Sequence, residues 1–291
     1  MKSISVKWVY LIALSIVWGS SFILMKLALV GLGPIEVGSL RMIITAIFLL
    51  VFGMKTLKTL TAKNWIHIAI SSILGILFPV FLFAIAIKNM DSGIAAILNS
   101  FVPFIALIIG TVFFGFYFHK KQLFGIIVGL LGTVLLISNG NSIGDFNGIK
   151  YPLMIVIAST GYAFNVNIIK RYLQDVKPLA ITTASFIVVL VPAIGILIST
   201  DFFVDLEFTP VLNASLMYIT ILSVVGTAIA KTVFNKLVQI SSPIFSTSVT
   251  YLIPIVAVFW GFLYGERLSL MQVLSGGIIL LGLFLMNKAK S

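Results

Sequence analysis

Apolar residues along this chain come in long unbroken blocks, and the short stretches between them carry nearly all the charge. Blocks of bilayer length fall near residues 7–29, 35–53, 65–87, 93–115, 122–139, 149–170, 179–199, 212–234, 243–264 and 270–287. A helix needs about 20 apolar residues to cross a hydrocarbon core of about 30 Å. The pattern therefore predicts ten membrane-spanning helices, spans 1 to 10. Strands of a membrane barrel would be about ten residues long with alternating polarity; these blocks are continuous. The gaps are too short for a soluble domain. The expected fold class is all-α integral membrane.

Composition agrees. The chain has 291 residues, 60% hydrophobic and 9% charged, with a mean hydropathy of +1.20. A soluble domain is about one-quarter charged and could not solvate such a surface. Lys2 and Lys7 ahead of an apolar run resemble a signal peptide. However, Trp8 to Leu29 is long enough to span and lacks a small-x-small cleavage site, so it reads as a retained helix. With no Cys, disulfides and thiolate metal sites are excluded.

The chain carries a net charge of +11, most of its basic residues fall outside the apolar blocks, and their distribution sets orientation. With the N-terminus inside, Lys2, Lys7, Lys55, Lys58, Lys63, Lys120, Lys121, Lys170, Arg171, Lys177, Lys231, Lys236, Lys288 and Lys290 fall on the inner side, 14 of the 19 basic residues. Glu36, Asp91, Asp145, Asp201, Asp205, Glu207 and Glu266 fall outside. Both termini are thus expected in the cytoplasm, in a bacterial inner membrane. The basic excess reads as attraction to an anionic leaflet, with no nucleic-acid partner.

The chain also repeats itself. WGSSFILMK (18–26) in span 1 aligns with YAFNVNIIK (162–170) in span 6, and Pro34 and Pro178 follow at matching distances. Pro103 in span 4 matches Pro254 in span 9; Gln122 and Gly132 in span 5 match Gln272 and Gly282 in span 10. Each unit, residues 1–144 and 145–291, holds five spans, an odd number. The second must enter the membrane upside down relative to the first, an inverted-topology repeat of the kind that rocks around a midplane site.

WGSSFILMK, the helix SGIAAILNSFVPFIALIIG and above all YGERLS at Tyr264–Ser269 resemble the drug/metabolite transporter superfamily, EamA type. The resemblance runs over nearly the whole chain. It implies a ten-helix carrier with spans 1–4 and 6–9 around a central cavity and spans 5 and 10 outside it. It also implies small organic solutes such as amino acids, related metabolites or drugs, often exported, and no cofactor. One departure stands out. After span 4 the chain reads GFYFHKK (115–121), so the first half lacks the Glu of the Gly-Glu-Arg pattern.

Polar groups inside hydrocarbon are expensive and mark function by default. Arg41, about six residues into span 2, is positioned to grip a carboxylate or phosphate bidentately, or else to snorkel outward and pair with Glu36. Lys231 either marks the inner end of span 8 or, if that helix continues to about Gln239, enters the cavity. Trp18, Ser21, Phe22 and Met25 share one helical face, as do Tyr162, Asn165 and Ile169. Asn99 precedes Pro103 as Thr247, Thr250 and Tyr251 precede Pro254. These residues either line a wet cavity or pack helices. Pro79, Pro103, Pro192 and Pro254 are expected to interrupt spans 3, 4, 7 and 9 as hinges or static kinks. Gly125-x-x-x-Gly129 and Gly261-x-x-x-Gly265 fit close helix contacts, which leave monomer and homodimer both open. His67 and His119 have no ligand partners at metal spacing, so no metal site is expected.

A secondary transporter accounts for these features. An intramembrane lipid-modifying enzyme or flippase-like protein would need a nucleophile and base, or a metal cluster, deep in a span. No carboxylate falls at midspan either. The expected movement is therefore uncoupled, or coupled through something other than a buried acid. Two candidate cations and no facing acid favour an anionic, zwitterionic or neutral metabolite over a cationic one.

Overall fold

The computed structural model of the chain describes residues 6–117, 124–125, 127–129, 131–132, 135, 146–204 and 207–288. Eight helices in it are long and apolar enough to cross a membrane: Val6–Ala28, Pro34–Thr59, Ala62–Asn89, Ser92–Phe114, Ile149–Tyr172, Pro178–Ile198, Pro210–Ile240 and Pro243–Leu263. They are spans 1–4 and 6–9. Span 10 is the helix Leu270–Lys288, whose apolar part, Leu270–Gly282, is shorter. Most of span 5 lies outside the described residues, as do His119 and Gln122. Ten spans were expected; the described residues hold these eight and one shorter apolar helix.

Helix starts follow local chemistry. Pro34, Pro178, Pro210 and Pro243 open their helices, where a missing N–H costs nothing. Thr61, Thr209 and Ser242 accept hydrogen bonds from the first turn of the helices they cap. Glu36 folds back onto the Gly33 N–H at 2.7 Å.

Spans 3 and 8 each widen into a π-turn, at Ile73–Leu77 and Val224–Ile229. Each turn contains a glycine where another helix passes close. A Cβ on Gly75 would collide with Asn165 of span 6, and one on Gly226 would lie 2.7 Å from Ser21 Oγ of span 1. Pro79, whose absent N–H would have reached the Gly75 carbonyl, stands just after the first of these turns.

Span 4 is split into Ser92–Asn99 and Val102–Phe114, and Pro103 starts the second piece. Span 9 is split into Pro243–Thr247 and Val249–Leu263. The break at Ser248 corrects the expectation for Pro254, which lies inside a continuous helix, as Pro192 does in span 7. Around the break, Ser246, Thr247 and Ser248 donate their hydroxyls to the carbonyls of Ser242, Pro243 and Ile244.

Contacts come in matching pairs. Span 1 packs along span 9 and span 6 along span 4; span 3 packs on span 6 and span 8 on span 1; span 2 lies along span 7. Outside this bundle, a Cβ on Gly282 would strike the Gly129 backbone, and one on Gly132 would come within 2.8 Å of the Ile279 nitrogen. Gly125 and Gly129 thus pack span 5 on span 10. Gly261 and Gly265 do not form a packing motif: Gly261 faces the Glu266 carboxylate, and Gly265 turns the chain at φ 83°. Val51, Phe113, Val191 and Phe259 are exposed on the outside of the bundle, as suits side chains solvated by lipid.

Candidate functional site

Spans 1–4 and 6–9 enclose a cavity of about 140 Å³. Trp18, Ser21, Arg41, Asn99, Tyr162, Asn165, Lys231 and Thr247 all line it, with Phe22, Met25 and Thr250 beside them. Tyr251 does not. It lines a separate recess with Lys7, Trp8 and Phe245, because the break at Ser248 turns Thr247 and Thr250 inward and Tyr251 away. Ile169 is packed in the core.

Both intramembrane cations are held by neutral groups. Arg41 Nε donates to Thr227 Oγ1 at 2.9 Å, and Glu36 is engaged at Gly33, so the pairing with Glu36 is not formed. Lys231 Nζ donates to Asn165 Oδ1 at 2.8 Å and stands 5.8 Å from the Phe234 ring. Asn165 is oriented in turn by Ser71, donating to its carbonyl at 3.2 Å. Span 8 runs on to Ile240, which puts Lys231 inside the bundle rather than at its inner end. The cavity lining includes no Asp or Glu.

Aromatic rings shape the remaining walls. Trp18 donates through Nε1 to the Gly226 carbonyl at 3.0 Å, a group loosened by the π-turn, and its ring lies 5.0 Å from Phe234. Phe83 stacks on Tyr162 at 5.6 Å. Arg41 and Lys231 can grip an anionic group, and the rings can cover an apolar body. Thr227, Phe83 and Phe234 were missed in the sequence. The spacing Thr227, Lys231, Asn235 is a legible polar stripe four residues apart, but a Phe inside an apolar run carries no such signal.

At the face where span 9 ends, one carboxylate ties three elements together. Glu266 accepts from Lys26 Nζ at 2.5 Å, from Ser92 Oγ at 2.9 Å and from the Ser92 and Gly93 N–H groups at 3.2 and 3.3 Å. It thereby caps the first helix of span 4. Burial pushes its carboxyl up, but the hydrogen bonds from Lys26 and Ser92 and the Lys26 charge outweigh this and leave it below its ordinary value. At the opposite face, Lys170 donates to the carbonyls of Ser241 and Gln239 at 2.7 and 3.2 Å. Among the described residues, no group of His, Asp or Glu is arranged to hold a metal ion.

The chain matches the EamA-like transporter family over residues 6–138 and 149–288. It is 28% identical to the uncharacterized inner membrane transporter YedA of Escherichia coli strain K12, over 96% of this chain and 90% of that one. It is 25% identical to a probable amino-acid metabolite efflux pump of the same strain, over 93% and 91%. A solved crystal structure superposes with a TM-score of 0.64 at 15% identity, covering 98% of both chains, a likeness of fold. Eight apolar spans and relatives named as transporters make this an integral membrane transporter and not an enzyme. The chain belongs to the EamA-like transporter family.

Proposed function

We propose that the protein is a secondary carrier that exports a small organic metabolite, an amino acid or a related zwitterion or anion, by alternating access. One observation carries the reading: the cavity between spans 1–4 and 6–9 is lined by Arg41 and Lys231 with no acid in its lining. Removing two cations from water without a carboxylate is costly, and a site that binds an anion gives them a use. The relative named as an amino-acid metabolite efflux pump supports the solute class.

In this reading residues 1–144 and 145–291 are two halves inserted in opposite directions, rocking about the cavity. The paired helix contacts support it, as do the π-turns in both span 3 and span 8 and the breaks in both span 4 and span 9. Pro79 and Pro103 stand at such irregularities and act as hinges; Pro192 and Pro254 shape continuous helices. Movement needs no midspan acid, and the N- and C-termini lie in the cytoplasm.

Counterflow in proteoliposomes tests the proposal. Vesicles loaded with an amino-acid and organic-acid mixture should accumulate a labelled member of it transiently and saturably. Uptake no faster than in protein-free vesicles for every solute would overturn the carrier reading.

A further inference from the structure

The hydrogen bonds around the cavity are unevenly spent. Ser21, Thr227, Thr247 and Thr250 donate to the carbonyls of Val17, Leu222, Pro243 and Thr247 of their own helices, and Trp18 to that of Gly226. The side-chain carbonyl of Asn165 is taken by Lys231. Asn99 keeps an unpaired side-chain carbonyl, but that oxygen is itself buried and offers no surface to a solute. Against this, Arg41 uses only its Nε–H on the protein, and Lys231 bonds only Asn165. Among the described lining residues, the charged groups left over are donors on Arg41 and Lys231; the Tyr162 hydroxyl stands beside them as a neutral group.

The apolar lining is most continuous along span 3, with Val102, Phe186, Phe234, Val249 and Ile253 adding to it from spans 4, 7, 8 and 9. Ile76, Val80, Phe83 and Ile87 of span 3 face the cavity together with Phe22 and Met25 of span 1. A volume of about 140 Å³ holds about ten water-sized groups, at 10–15 Å³ for each.

We infer that the preferred solute is a monocarboxylate with an apolar body and no ammonium group. This rests on the carrier reading above and narrows it. The carboxylate spans the Arg41 fork and the Lys231 ammonium, and the apolar body lies against span 3. An ammonium on the solute would stand beside two cations with no carboxylate among the lining residues and only neutral hydroxyl oxygens to receive its N–H groups. The aromatic faces attract cations, but weakly compared with charge repulsion at close range in a low-dielectric site.

Four probes separate the terms: 3-phenylpropanoate, phenylalanine, 2-phenylethylamine and acetate, bound to the purified full-length protein and followed by thermal shift and by dissociation constant. We expect 3-phenylpropanoate to bind at least tenfold more tightly than phenylalanine and than acetate, with no saturable binding of the amine. In Lys231→Gln protein the preference over phenylalanine should shrink several-fold. Phenylalanine binding as tightly as 3-phenylpropanoate, saturable amine binding, or acetate matching 3-phenylpropanoate would each overturn the assignment. So would binding by none of the four. If the counterflow experiment still shows saturable uptake of other solutes, the carrier reading stands and only this solute class falls.

Discussion

Spans 3 and 8 share a backbone and differ in what they present. Each has a π-turn around a glycine, Gly75 or Gly226, and from each glycine the residues one, five and eight positions onward line the cavity. In span 3 these are Ile76, Val80 and Phe83; in span 8 they are Thr227, Lys231 and Phe234. The ring is kept, while a hydroxyl and an ammonium replace two branched aliphatic side chains. The π-turns let two helices approach their neighbours closely whatever they carry. Of these two helices, span 8 carries the polar groups, and Arg41 is tied to it through Thr227. In the binding mode proposed above, the solute's charged end lies toward span 8 and its apolar end toward span 3.

Moving charge to the wrong flank should do the most damage. Val80 is 5% exposed, and the cavity already holds two cations. Val80→Lys buries a third unpaired charge, costing about 3–5 kcal/mol. The expected outcome is an apparent melting temperature lower by about 10 °C, or no folded protein on size-exclusion chromatography. An unchanged melting curve would mean that span 3 is wetter than its lining implies. Next is Arg41→Gln, which removes charged hydrogen bonds to the solute worth about 1.5–3 kcal/mol. Counterflow should show an apparent affinity weaker by about 10–100-fold. Lys231→Met should weaken affinity by about tenfold while leaving stability equal or higher, since it deletes a buried charge. A fall in both would make Lys231 structural.

The contrast between these flanks was only partly legible in the sequence. Arg41 stands out because it is charged and far from either end of an apolar block, so its candidacy needed no fold. Lys231 was ambiguous for a physical reason. Residues 212–230 already suffice to cross a bilayer, and only the continuation to Ile240 carries Lys231 inside. Tyr251 failed because its register was read through Pro254, whereas the helix is split at Ser248. Phe83 and Phe234 are invisible among other apolar residues, and the Glu266 contacts with Ser92 join positions far apart in the chain.

Glu266 gives an effect of intermediate size with a defined pH signature. Its folded carboxyl lies below the ordinary value, so the unfolded chain binds its proton first as pH falls. The stabilisation is complete above the ordinary carboxylate value and is lost as pH falls through the lower folded value. Glu266→Gln should cost about 1–2 kcal/mol near neutral pH, because charge-assisted bonds at a helix start are lost while half-exposed Lys26 can find water. Thermal melts of both proteins from pH 7 to pH 3 should converge at the acid end. A gap that stays constant would remove the carboxylate charge from the account.

The smallest effect concerns the opposite face, where a corresponding turn, one residue longer, carries Phe116. Its N–H bonds the Gly110 carbonyl at 2.9 Å, as the Glu266 N–H bonds Gly261 at 2.9 Å, and its ring packs over Gly110 as the Glu266 carboxylate packs over Gly261. Lys170 occupies the place in span 6 that Lys26 occupies in span 1, but it is met by backbone carbonyls. Phe116→Glu would offer Lys170 the acid that Lys26 already has. A half-exposed ion pair is worth about 0.2–1 kcal/mol, so the apparent melting temperature should rise by about 1–3 °C, with slower counterflow because this face is held shut longer. Lys170→Met in the same background should erase the gain, which a double-mutant cycle would register as coupling. Zero coupling would confine the likeness between the two faces to their backbones. The ionic clasp of Lys26 with Glu266 and Asp91 would then be a difference in kind, and a carrier whose two faces open at unequal rates would follow from it.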